Sequence, residues 1–139
     1  MKAVVDSSVV VKWITQEGEE WTEQADLILE RVGNGELELT APAFMKYEIG
    51  NALRYKKIED DEKLECLRQF YDLPVRFYPL SVRRAVRVLE IASQANITFY
   101  DAVFVELAER LKAGLITANP KHQKKFEGVK VVALKDYRL

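Results

Sequence analysis

The sequence predicts a single α/β domain built on a mostly parallel sheet. Three observations lead there. Short β-branched or apolar runs alternate with stretches of helical periodicity along the whole chain, the pattern of repeated βαβ units. The 139 residues suit one domain spanning 1–139, with no internal repeat, linker or compositional break. Apolar residues make up 48% of the chain, enough for a core and too many for disorder.

Residues 3–5 are a short β-branched run suited to a buried strand. Trp21, Ala25, Ile28 and Val32 recur at helical spacing, and Gly33-Asn34-Gly35 stops that helix at a turn. Residues 37–40 read as a second strand, with Pro42 placed to open a helix over 43–57. Asp60 and Asp61 suit the N-cap and first turn of a helix bearing Leu64, Leu67, Phe70 and Tyr71. A third strand covers 75–78, bounded by Pro74 and Pro79. Val82, Ala85, Val86, Leu89 and Ala92 draw an apolar stripe for the next helix, with Arg83, Arg84 and Arg87 turned away from it. A helix over 99–113 ends at Gly114 as a C-cap, and residues 115–117 form the following strand. Pro120 opens a short helix, and residues 129–133 make the last strand.

Charge and rare residues narrow the chemistry. The 21 basic and 22 acidic side chains leave a formal charge of −1, against a histone-like or polybasic DNA binder. One cysteine, Cys66, excludes an intrachain disulfide framework and a Cys-rich zinc site, and its helix neighbours Leu64, Leu67 and Phe70 suggest core filling. One histidine, His122, excludes a His-pair metal site and reads as an exposed surface residue. The first apolar run meets a charge at Asp6, too early for a signal segment or a membrane span, so a cytoplasmic protein is expected.

The anomaly is carboxylates on apolar faces. On the helix over 99–113, Asp101 projects into the face made by Phe104, Val105, Ala108 and Leu111, while Glu106, Glu109 and Arg110 point elsewhere as solvated charges. On the helix over 43–57, Glu48 falls inside the arc of Phe44, Met45, Ala52 and Tyr55, with Asn51 at its border. A buried carboxylate is costly unless paired or bound to a metal. Two structural explanations stand beside the functional one: an N-cap role for Asp101 and a buried Glu–Arg pair for Glu48. Topology adds weight to function. Asp6 follows the first strand, Glu48 lies early in the helix after the second, Asp101 opens the helix leading back to the sheet, and Asn119 lies just past the 115–117 strand. All four map to the carboxyl edge of a parallel sheet, where open α/β folds bind ligands. Hard oxygen donors without His or Cys favour Mg²⁺ or Mn²⁺ over zinc.

The runs Val4-Val5-Asp6-Ser7-Ser8-Val9-Val10-Val11-Lys12-Trp13 and Tyr47-Glu48-Ile49-Gly50-Asn51-Ala52-Leu53 resemble the first two motifs of a PIN domain. Phe99-Tyr100-Asp101-Ala102-Val103-Phe104-Val105-Glu106-Leu107-Ala108 and Leu115-Ile116-Thr117-Ala118-Asn119 resemble the last two. The length is similar to that of VapC-type toxins of toxin–antitoxin modules. The resemblance implies a PIN-like domain with a five-stranded parallel sheet flanked by helices. It also implies a Mg²⁺-dependent ribonuclease, usually a homodimer silenced by a small antitoxin. By position it makes Asp6, Glu48 and Asp101 the metal-site acids, with Ser8 a hydroxyl supporting the first. Asn119 stands where the family often has Asp; the amide keeps an oxygen but loses a charge, so one metal is expected rather than two. Asp6 and Asp101 would hold the metal, Glu48 would complete the site or orient the attacking water, and Asn119 would position a water or the phosphate.

Other readings bear on the same residues. The clusters Arg54-Tyr55-Lys56-Lys57 and Lys121-His122-Gln123-Lys124-Lys125 are candidate phosphate contacts beside the active edge, with solvated surface the plainer alternative. Trp13 and Trp21 suit packing of the early helices rather than base stacking. Exposed apolar residues on those helices could form a dimer or antitoxin surface. One rival function is a haloacid-dehalogenase-like phosphatase with Asp6 as nucleophile, though Ser8 stands where that chemistry wants a second Asp. Another is a PIN-like RNA-binding module without strong catalysis.

Overall fold

Apolar runs of three to five residues give five strands: β1 (Lys2–Val5), β2 (Glu38–Pro42), β3 (Val75–Tyr78), β4 (Gly114–Thr117) and β5 (Val131–Ala133). In this computed structural model, which describes residues 1–138, they form one sheet in the order β3-β2-β1-β4-β5, every neighbour parallel. β1 is central, with Val4 paired to Thr40 on one side and to Leu115 on the other. Val4 and Val5 are fully buried, as the middle strand of a sheet covered on both faces requires. The single buried hydroxyl on β2, Thr40, is satisfied by donating to the Ala3 carbonyl at 3.2 Å.

Six helices supply the crossovers: α1 (Ser7–Ile14), α2 (Thr22–Gly33), α3 (Met45–Tyr55), α4 (Asp60–Asp72), α5 (Val82–Ala95) and α6 (Phe99–Leu111). α6 lies along β1, β2 and β4 with α5 packed on it, while α2, α3 and α4 gather around α1. The run from Ala102 to Ala108 on α6 is buried throughout, the mark of a helix enclosed on all sides. Cys66 fills core, and burial pushes its thiol above the ordinary range. Among the described residues no helix is long and apolar enough to cross a membrane.

Several expectations need correction. α1 is an additional helix, formed despite three consecutive valines because Val9 and Val10 bury completely against the sheet. Pro42 ends β2, paired with Tyr78, and α3 starts three residues later. The left-handed C-cap of α6 is Lys112 (φ 52°), and Gly114 already belongs to β4. Pro120 opens a turn followed by a single 3-10 turn at Gln123–Lys125 rather than a helix.

The largest correction concerns α5. Its core face is Val88, Ile91 and Ala92, whereas Val82, Val86 and Leu89 of the expected inward stripe are 84%, 55% and 59% exposed. The reason lies on α6. Glu106 is 2% exposed instead of solvated, and its Oε1 is met by Arg110 at 3.2 Å and Arg84 at 3.8 Å. Arg87 grips Glu109 with two nitrogens at 2.8 and 2.7 Å. Those guanidiniums must face α6, which rotates the valine stripe outward.

Candidate active site

The strand order reverses direction at β1, so β1 and β4 flank the topological switch point. There the chain leaves β1 at Asp6, whose backbone N–H donates to the Ile116 carbonyl at 2.9 Å and holds it against β4. Ser8 Oγ donates to Asp6 Oδ2 at 2.6 Å, and Thr117 Oγ1 donates to the same oxygen at 3.0 Å. Ser8 Oγ in turn accepts from the Ala118 N–H at 3.0 Å, and Thr117 Oγ1 from the Asn119 N–H at 3.1 Å. Two hydroxyls and two amides thus fix one carboxylate oxygen from both sides of the switch point. Burial pushes the Asp6 carboxyl above its ordinary range; the Ser8 and Thr117 hydroxyls act against the shift, and the Asp101 charge adds to it.

Asp101 and Glu48 reach the same place from helix starts. Thr98 is the N-cap of α6 and accepts from the Asp101 N–H at 3.0 Å, so Asp101 is not the cap and its carboxylate is free for another role. Glu48 stands in the first turn of α3, and it has no arginine partner: its Oε1 is buried without a hydrogen bond. Burial, the Asp6 charge and the Asp101 charge together raise its carboxyl to about 7, against a hydrogen bond from Ser7. Both structural alternatives raised by the sequence are thereby removed.

Asp6, Glu48, Asp101 and Asn119 all line one cavity of about 870 Å³. None of the three carboxylates takes part in an ion pair among the described residues. They share a cleft rather than a coordination sphere: among the described residues no three acidic, His or Cys side chains converge into a ready-made metal site. A hydrated Mg²⁺-like ion tolerates such an arrangement, since it needs only one or two direct carboxylates. The orphaned Glu48 oxygen and the all-oxygen donor set fit a hard divalent cation.

The basic clusters diverge. Lys121, His122 and Lys124 line the cavity, at its exposed rim. Lys56 is instead engaged by Glu19 at 2.7 Å, and Arg54 lies against Tyr55, away from the cleft. Asn51 is exposed and does not line the cavity. Sequence reasoning missed the role of Thr117, whose only signal was a hydroxyl closing an otherwise apolar strand. It also missed Lys12, which is 5% exposed and pairs with Glu19 at 2.9 Å.

A parallel five-stranded sheet with acids at its β1/β4 switch point defines a class of cleft-bearing α/β domains, and within it the assignment is specific. The chain belongs to the PIN domain family, whose sequence model matches residues 3–128. It is 31% identical to Ribonuclease VapC3 of Pyrobaculum aerophilum over 134 residues, covering 91% of this chain and 95% of that protein. Ribonuclease VapC1 of Mycobacterium tuberculosis is 29% identical over 122 residues, covering 86% and 87%. Among solved structures, VapBC2 from Rickettsia felis bound to a promoter DNA fragment superposes with a TM-score of 0.71 at 14% identity, covering 96% of this chain and 98% of that one. DNA-bound VapBC from Salmonella typhimurium gives 0.73 at 11% identity, with the same coverage. At those identities the superpositions establish the fold, and they agree with the five-stranded sheet.

Proposed function

We propose that this protein is an endoribonuclease that hydrolyses RNA phosphodiester bonds using Mg²⁺ or Mn²⁺, and that it is the toxin of a toxin–antitoxin pair. The observation behind this reading is that three carboxylates, from the end of β1 and the first turns of α3 and α6, enter one cleft with no ion-pair partner among the described residues. The relatives named ribonucleases supply the substrate class. Asp6, Glu48 and Asp101 would hold a divalent ion, directly or through water, and the ion would supply positive charge against the scissile phosphate.

The chain's own groups do the rest. Ser8 and Thr117 fix Asp6 so that its carboxylate does not rotate as substrate arrives. Glu48 would complete the ion's surroundings or orient the water that attacks phosphorus in line with the departing oxygen. Asn119 orients a water or a phosphate oxygen, and Lys121 and Lys124 at the rim meet neighbouring phosphates. The same reading includes a cognate antitoxin, in keeping with the structural likeness to a toxin–antitoxin complex from Klebsiella pneumoniae, and extends to a homodimer in a cytoplasmic setting.

Purified protein is expected to cut single-stranded RNA with Mn²⁺ and not with chelator, and Asp6→Asn to abolish cutting in gel assays. Equal cleavage by Asp6→Asn, or in chelator, overturns the reading.

A further inference from the structure

A second cavity, of about 350 Å³, opens beside the acidic cleft. The two share Ser8, Val11, Ala118 and Asn119 as walls, so a strand seated in one runs into the other. At 350 Å³ the smaller one falls in the ~300–1,000 Å³ range of small-molecule sites. Its outer wall is Trp21, and that residue is out of place by every local rule.

Trp21 occupies the left-handed region (φ 54°, ψ 36°), where a bulky side chain is strained, and it stands at the N-cap of α2 without a side-chain capping bond. It is 37% exposed and absent from the hydrophobic core, unlike Trp13, whose Nε1 donates to the Ala25 carbonyl at 2.8 Å. Strain of this kind persists where surrounding structure over-determines it, and it gathers at functional sites. Here the surroundings are Lys12 and Glu19. The Lys12 ammonium sits 5.9 Å from the Trp21 ring centroid, and Glu19 joins Lys12 to Lys56, tying the loop before α2 to α1 and to the end of α3. An exposed indole face held rigid beside a nuclease-like cleft is a stacking platform.

The wall chemistry selects the occupant. Glu19 and Glu20 both line the cavity; Glu19 gives its two oxygens to Lys12 and Lys56, which leaves Glu20 as the lining carboxylate, and a carboxylate only accepts hydrogen bonds. It favours a base edge carrying amino donors, as in adenine, cytosine and guanine, over uracil. We propose that Trp21 and this cavity form a nucleobase subsite that stacks an amino-bearing base of the RNA next to the phosphate in the acidic cleft. The inference rests on the ribonuclease reading above.

The test uses the full chain carrying Asp6→Asn to prevent cutting. With Trp13→Phe added, Trp21 is the only tryptophan and its fluorescence reports the subsite directly. Anisotropy of end-labelled RNA reports binding independently of it. Oligocytidylate is expected to quench Trp21 and to bind at least about fivefold more tightly than oligouridylate, the lower end of the discrimination by one base-edge contact. Trp21→Ala in the Asp6→Asn protein abolishes that preference and Trp21→Phe restores it. Trp21→Asn, which suits left-handed backbone, melts no lower than its parent while losing the preference. RNA binding that leaves Trp21 unquenched and is unchanged by Trp21→Ala overturns the subsite alone, as does a Trp21→Asn protein that melts lower with its base preference intact. No RNA binding by anisotropy overturns the subsite and the ribonuclease reading together.

Discussion

Helix α6 carries three acids, and their fates divide them. Asp101, in its first turn, enters the cleft with no ion-pair partner among the described residues, and its charge raises the carboxyls of both Asp6 and Glu48. Glu106, five residues on, is more deeply buried, yet Arg84 and Arg110 both reach it. Glu109 is likewise held below the ordinary carboxylate range by its two hydrogen bonds from Arg87. Burial alone therefore does not single out a functional acid. What separates the two regions is whether the fold supplies a counter-charge: the α5–α6 seam does, and the carboxyl edge of the sheet leaves that place for something from outside.

The comparison can be tested by substituting each side. Asp101→Asn is expected to lower RNA cleavage roughly 10²–10³-fold, read by gel assay, because it removes one of the carboxylates that would hold the ion against the scissile phosphate. Its melting temperature stays level or rises, since one repulsive carboxylate is gone. Glu106→Gln does the reverse. It strands Arg84 and Arg110 and costs about 1–3 kcal/mol, less than the ~3–5 kcal/mol of a fully buried pair because both arginines are partly exposed. Thermal melts fall by several degrees while cleavage per folded molecule is unchanged.

Glu48→Gln sharpens the contrast through pH. The ordinary carboxyl ionises near 4.5 and the folded one near 7, so the metal-free fold has its full stability below that window and loses it as pH rises through it. Allowing for solvent screening, Glu48→Gln is expected to gain about 1–2 kcal/mol over wild type at pH 8 and nothing at pH 4. Melting curves at the two values, in chelator, are the check; an equal gain at both pH values assigns the effect to packing. The smallest change is expected from Asn119→Asp, which restores a fourth negative charge to the cavity. Calorimetry should find Mn²⁺ bound several-fold more tightly, and unchanged affinity excludes position 119 from the ion's surroundings.

The sequence displayed the sheet and the acids for different reasons. Strand–helix alternation marked all five strands, because a parallel sheet buried on both faces needs unbroken apolar runs such as residues 3–5. Asp6, Glu48, Asp101 and Asn119 were readable because strand ends and helix starts share one edge whatever the side-chain detail. Rotation about a helix axis was not readable in α5, where Val82, Val86 and Leu89 offer as good a stripe as Val88, Ile91 and Ala92. Only the arginine–glutamate pairs with α6 decide between them, and those are tertiary facts. Thr117 was hidden similarly: its hydroxyl acquires meaning from a carboxylate 111 residues earlier in the chain.

That separation also bears on how the protein comes into being. The hydrogen bonds that orient Asp6 cannot form until β4 has docked beside β1, which places them among the most non-local contacts in the chain. A nascent chain that has made its first ninety-odd residues has neither Asp101 nor Thr117. The arrangement of the cleft is therefore completed late, once β4 has joined the central strand.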